Sequence, residues 1–213
     1  MGRIKEWEEL TISDNFLFQK VMQNKQLCKE LIEKLLGIKV KKVKHQTAEK
    51  TMEIGPTQKG IRLDFYVETD EGTIIDIEMQ TADKPLGWLP KRTRYYQAMI
   101  DVNVLGKGGD YLGLKSSYVI FICTFDPFPG NNRKLYTFTN RCHEEEGLEL
   151  GDETTKIFLN TKGILGEVEE DIDKFLTYVG GKAPEGGFTQ DIAAEVERIK
   201  QHKETRVEYM TLM

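Results

Sequence analysis

Asp64, Glu78 and Gln80 are the residues whose types and spacing suggest chemistry. Asp64 sits in Ile61-Arg62-Leu63-Asp64-Phe65-Tyr66-Val67-Glu68. Glu78 and Gln80 sit in Thr73-Ile74-Ile75-Asp76-Ile77-Glu78-Met79-Gln80, beyond a turn at Asp70-Glu71-Gly72. Apolar residues occupy the odd positions of both stretches from Ile61 to Val67 and from Ile75 to Met79, the alternation of two half-buried strands. A three-residue loop pairs Thr69 with Thr73 and sets Asp64 opposite Glu78. A two-residue loop would put Asp64 opposite Met79 and scramble both faces. The longer loop also wants a glycine at its last, left-handed position, and Gly72 is there.

In that register the Cβ atoms of Asp64 and Glu78 lie roughly 5 Å apart, with Gln80 one pleat along on the same face. Two hard carboxylates at such a separation suit Mg²⁺ or Mn²⁺, which binds through one or two carboxylates, waters and substrate phosphate. The same alternation also fits an ordinary hairpin whose even-numbered side faces water.

At these residues the chain resembles the PD-(D/E)XK nuclease superfamily, and within it the recombination-promoting nuclease and putative transposase family. Four blocks carry the likeness: Ser13-Asp14-Asn15-Phe16-Leu17-Phe18-Gln19-Lys20, Arg62-Leu63-Asp64, Ile77-Glu78-Met79-Gln80 and Arg94-Tyr95-Tyr96-Gln97. A later run, Tyr118 to Phe128, is also similar, so the resemblance spans about residues 10 to 210. It implies an α/β fold, a restriction-endonuclease-like mixed β-sheet flanked by helices, with a small C-terminal helical appendage. It implies a metal-dependent DNA endonuclease linked to recombination or mobile elements, with Mg²⁺ (or Mn²⁺) as cofactor and DNA as partner. Carried over, Asp64 and Glu78 are metal-binding acids, and Gln80 completes the catalytic set. Gln80 stands where the superfamily usually has lysine; an amide can orient water but brings no charge. Leu63 replaces the superfamily's proline.

The 213 residues carry 30 Lys and Arg against 35 Asp and Glu, a net charge of -5 that argues mildly against a dedicated nucleic-acid binder. The distribution qualifies this. Lys39, Lys41, Lys42, Lys44, His45 and Lys50 precede the hairpin, Lys84, Lys91, Arg92 and Arg94 follow it, and the acid excess lies from Glu144 to Asp173. Lys42, Lys44, Arg92, Arg94 and Gln97 are the candidate nucleic-acid contacts, against the plainer reading of solvated faces. Cys28, Cys123 and Cys142 are too few and scattered for a disulfide framework or a zinc site. With no apolar run near the ~20 residues of a membrane span and no signal-peptide pattern, the expected compartment is the cytoplasm.

The elements that must position the site follow. Ser13 or Asp14 caps a helix expected to run to Leu36, with Gly37 as its stop. Asp14 either serves only as that cap or leans into the site, with Glu30 as an alternative acid; Tyr95 is a third accessory candidate. Ile38 to Gln46 reads as a short strand and Lys50 to Gly60, with Gly55-Pro56, as a loop. A helix is expected from Pro90 to Leu105, a buried strand from Ser116 to Phe125, and two more strands at Leu135–Asn140 and Thr155–Leu159. From Glu167 the pattern is helical to Tyr178. After glycine pairs at 180–181 and 186–187 a last helix is expected from Gln190 to Met213, where no cap or breaker ends it: either the chain is cut there, as the longer helical tail of similar sequences implies, or the helix frays. The expected division is a nuclease-like domain over 1–165 and a C-terminal helical region over 166–213.

Two other classes stay open: a nuclease fold that binds nucleic acid without cutting it, and an interaction module that forms a homo-oligomer through its acidic C-terminal helices. His45, His143 and His202 are scattered, no Ser or Cys sits in a nucleophile motif, and Gly106-Lys107-Gly108-Gly109 lacks the spacing of a phosphate-binding loop.

Overall fold

The hairpin forms in the register that the alternation and Gly72 require. The computed structural model describes residues 5–53, 55, 57, 59–81 and 84–212; Pro56 and Met213, on which two of the expectations bear, lie outside them. Strands β2 (Ile61–Thr69) and β3 (Ile74–Gln80) pair antiparallel from Glu68↔Ile74 to Phe65↔Ile77, which carries Asp64 opposite Glu78. The Thr69 N–H donates to the Thr73 carbonyl across the turn, and Gly72 takes φ 87°.

By contact the chain divides into two units, Lys41–Gly166 and the pair of segments on either side of it, Met1–Val40 and Glu167–Met213. The first forty residues thus group with the C-terminal helices, where the sequence suggested a single domain over 1–165.

The central unit is built on a six-stranded mixed sheet. β1 (Val43–Met52) lies on one edge, followed by β2, β3, β4 (Ser117–Cys123), β6 (Thr154–Asn160) and, on the other edge, β5 (Leu135–Phe138). β3, β4 and β6 run parallel; the outer pairings are antiparallel. The Ser117–Cys123 run is buried except for Tyr118, as its continuous β-branched and aromatic sequence suggests. Helix α3 (Trp88–Val104) crosses the face bearing the even residues of β3, packing Tyr96, Met99 and Ile100 with Val119, Phe121 and Phe158. β1 lies further along the chain than the alternation of 38–46 suggested. Val43 to Met52 has one full-length neighbour, β2, and pairs with it out to Met52↔Ile61, well into the segment read as loop.

The flanking unit is helical: α1 (Asn15–Met22), α2 (Lys25–Leu36), α4 (Glu170–Val179), α5 (Gly187–Gln201) and α6 (Lys203–Leu212). The single helix expected from residue 14 to Leu36 is broken, because the Asn24 side chain accepts the N–H groups of Gln26 and Leu27 and starts a new helix. Gly37 closes α2 in the left-handed conformation, as expected. Buried Leu17, Phe18, Leu31, Ile32, Phe175 and Ile192 make its core, and the rings of Trp7, Phe16 and Tyr209 pack together. Cys28 and Cys123 are buried free thiols, each pushed up to about 12 by burial. No helix among the described residues is long and apolar enough to cross a membrane.

Candidate active site

Asp64, Asp76, Glu78 and Gln80 are all buried on the α3 side of the sheet, so the even face of the hairpin is no solvated surface. The strand ladder stops at Phe65↔Ile77, and just beyond it the side chains take over the backbone's partners. The Asp64 N–H donates to Glu78 Oε1 at 2.7 Å, and the Met79 N–H donates to Asp64 Oδ2 at 3.3 Å. Each acid is thereby fixed by the backbone of the strand opposite.

Arg92, one turn into α3, supplies the positive charge. Its guanidinium donates to Gln80 Oε1 at 2.6 Å, to Glu78 Oε2 at 2.5 Å and to the Tyr96 hydroxyl at 2.6 Å. Its Cζ lies 4.7 Å from the centre of the Tyr96 ring and 5.3 Å from that of Phe121. A planar fork suits this bridging, because it can bond an amide and a carboxylate together. Asp76 is wholly buried beside Glu78, and apart from the Glu78 carboxyl no donor among the described residues reaches its oxygens.

Three carboxyls around one guanidinium leave negative charge in excess. Burial raises Glu78 to about 8; the charge of Asp64 adds to this, and Arg92 and the Asp64 N–H oppose it. Burial likewise raises Asp64 to about 6, against the pull of Arg92 and the Met79 N–H. Asp76 is held well above the usual carboxylate range by burial and then by the charges of Glu78 and Asp64. A cation would relieve this repulsion, and the hard oxygens of Asp64 and Glu78 fit Mg²⁺ or Mn²⁺. The described residues contain no cluster of three or more His, Cys, Asp or Glu arranged to hold a metal, so the fit rests on a two-carboxylate site of the kind Mg²⁺ accepts.

The other residues singled out by sequence fall elsewhere. Gln97, read as a phosphate contact, is buried; its amide nitrogen donates to Ser117 Oγ and Asp101 Oδ1, which ties α3 to the start of β4. Arg94 is exposed on α3, and Tyr95 donates its hydroxyl proton to the Lys59 carbonyl. Lys42 and Lys44 are exposed at the turn end of the hairpin, where the Lys42 carbonyl accepts the Asp70 N–H and Lys44 pairs with Glu68. Asp14 and Glu30 belong to the helical unit. Asp14 accepts from Lys5 and from the Thr11 N–H, and Glu30 pairs with Lys34. Asp14 does precede α1, but its side chain caps none of that helix's N–H groups.

Sequence reasoning passed over three residues. Asp76 was visible as the next even position before Glu78. Tyr96 lies one turn after Arg92. Glu49, across β1 from Asp64 and skipped by the ladder between Ala48↔Phe65 and Lys50↔Leu63, left no signal; it holds φ 55° and pairs with Arg62 at 3.6 Å.

A mixed sheet flanked by helices, with acids on adjacent strands of its hairpin, is the restriction-endonuclease-like arrangement. The chain belongs to the PD-(D/E)XK nuclease family transposases, whose family model matches residues 15–179. Neither a curated protein nor a solved structure gives a match. Membership supports a nuclease or transposase type of function.

Proposed function

We propose that the protein is a metal-dependent DNA endonuclease whose site is made by Asp64, Glu78 and Gln80, with Arg92 as their partner. One observation carries this reading: two buried carboxyls meet where the hairpin ladder opens, and one guanidinium joins Glu78 to Gln80. Asp64 and Glu78 would hold the ion. When bound, a divalent ion lowers the pKa of a water and offsets phosphodiester charge. Gln80, its carbonyl oxygen fixed by Arg92, is the residue that would orient the attacking water. Arg92 brings the charge that glutamine lacks where the superfamily has lysine. Water attacks phosphorus, the bond to the 3′ oxygen breaks, and the products carry a 5′-phosphate and a 3′-hydroxyl.

The test is nicking of supercoiled plasmid at low salt with Mg²⁺ or Mn²⁺. Wild type cuts only with metal, and Asp64→Ala and Glu78→Ala reduce cutting to background while keeping the wild-type circular dichroism spectrum. A purified Asp64→Ala protein cutting at the wild-type rate overturns the site. The engagement of Glu78 by Arg92 also favours a second reading, a nuclease fold that binds DNA without cutting it. Salt-sensitive DNA retention with no product under either metal would select it.

A further inference from the structure

A groove of about 180 Å³ opens beside Gln80, between the Lys84–Pro90 segment and the Phe125–Pro129 loop that follows β4. The Trp88 ring is its most distinctive wall. Trp88 begins α3 and donates its N–H to the Pro85 carbonyl, and the preceding Gly87 adopts φ 82°. The side chain remains 39% exposed. Two cations approach its ring: Lys84 Nζ at 6.0 Å from the ring centre and Arg92 Cζ at 5.5 Å. Phe125 and Pro127 line the opposite side.

The one acid in the lining, Asp126, is directed into its own loop. It accepts the Phe128 N–H and the Asn160 side-chain amide. The groove therefore offers a flat aromatic wall with cations at its rim, and Lys91 is exposed one turn into the same helix. Arg92 links it to the carboxyls, since the same guanidinium lies near Trp88 and bonds Glu78 and Gln80.

We infer that this groove takes a single unpaired nucleobase, stacked on Trp88, from the nucleotide beside the phosphate to be cut. The substrate class is then DNA with unpaired nucleotides at the cleavage position, such as a single strand, a flap or a gap. A base inside a duplex has both faces covered by its neighbours and presents only its edges, so it has no face to give to Trp88. An unstacked base has a free face, and aromatic stacking beside a cationic rim is how single strands are held without sequence preference. The assignment to the nucleotide at the cut rests on the endonuclease reading.

The chain has two tryptophans, and Trp7 is buried in the helical unit, so ligand-induced quenching reports on Trp88. Binding is measured in EDTA, where no cutting occurs, with wild type, Trp88→Ala and Trp88→Phe. The probes are oligo(dT) and a blunt-ended two-strand duplex of equal charge. The single strand quenches wild-type emission and the duplex does not. Trp88→Phe abolishes the quenching while retaining most of the affinity, and Trp88→Ala weakens single-strand binding by about 10- to 100-fold, with the duplex constant unchanged. Equal quenching by duplex, or equal loss of both affinities in Trp88→Ala, overturns the inference. So does quenching that follows protein concentration without DNA, which would assign the groove to a second copy of the chain. Metal-dependent nicking with a Trp88 indifferent to single strands would sink this inference alone. Strand-selective quenching with no metal-dependent cleavage of either plasmid or the single strand would sink the endonuclease reading and leave the base site standing.

Discussion

The helical unit and the sheet unit treat their carboxylates in opposite ways. In the helices several acids meet a cation that is itself at least partly exposed: Asp171 with Lys34 at 2.5 Å, Glu208 with Lys20 at 2.7 Å, Glu195 with Arg198 at 2.6 Å. In the sheet Asp64, Asp76 and Glu78 are buried around one guanidinium, and Asp76 has only the neighbouring Glu78 carboxyl as a partner among the described residues. The first arrangement is worth little and risks little. The second is costly to fold and stores an unmet demand for positive charge, a perturbation typical of working sites.

Removing the one cation should break this contrast most sharply. Arg92→Met is expected to cost little at pH 5, where the buried acids keep most of their protons, and about 3–5 kcal/mol at pH 9, where a charge is left unpaired. Thermal unfolding at the two pH values reads the difference; a gap that does not widen with pH would mean Arg92 serves only as packing. Supplying a second cation should act in the other direction. Mg²⁺ or Mn²⁺ at a hundred times its dissociation constant adds about 2.7 kcal/mol. The gain should be larger at pH 8 than at pH 6 and absent in Asp64→Ala, whatever the fate of DNA.

Proton linkage sharpens the comparison more gently. Asp64 and Glu78 have folded pKa values of about 6 and about 8, above the ordinary values near 4. Between those limits the folded chain binds more protons than the unfolded one. Their contribution is therefore fully favourable below about pH 4 and is lost as pH rises through 6 and 8. Without divalent ions the melting temperature should carry this downward slope. Asp76→Asn, the isostere of the protonated acid, should leave stability at pH 7 nearly unchanged and make the slope shallower above it. Smallest of all, Lys34→Met in the helical unit should change stability by less than about 1 kcal/mol at any of these pH values.

The hairpin was legible because two independent signals, face alternation and the glycine of a three-residue loop, admit one register. Its burial was not. Alternation says which residues share a face, and polar residues on that face ordinarily mean water; here α3 covers them. Arg92 was read as a phosphate contact for the same reason, since only the crossing of α3 over β3 brings a residue twelve positions away onto Gln80. The break between α1 and α2 was written in Asn24, a residue that favours N-caps, but the apolar periodicity continuing through it masked the signal. β1 was blurred because an edge strand with much of its length exposed need not alternate strongly.

That edge has one further consequence. β1 would offer a passing strand a row of free backbone groups, the ordinary route to edge-to-edge aggregation. Glu49, left-handed at φ 55° in the middle of the strand, interrupts that row, at a conformational cost of about 1–2 kcal/mol. A second irregularity falls between Val43 and His45, and Lys44 beside it places a charge on the rim. The β1 edge of the sheet is thus irregular at two places, each with a charged side chain, and is a poor template for the growth of fibres.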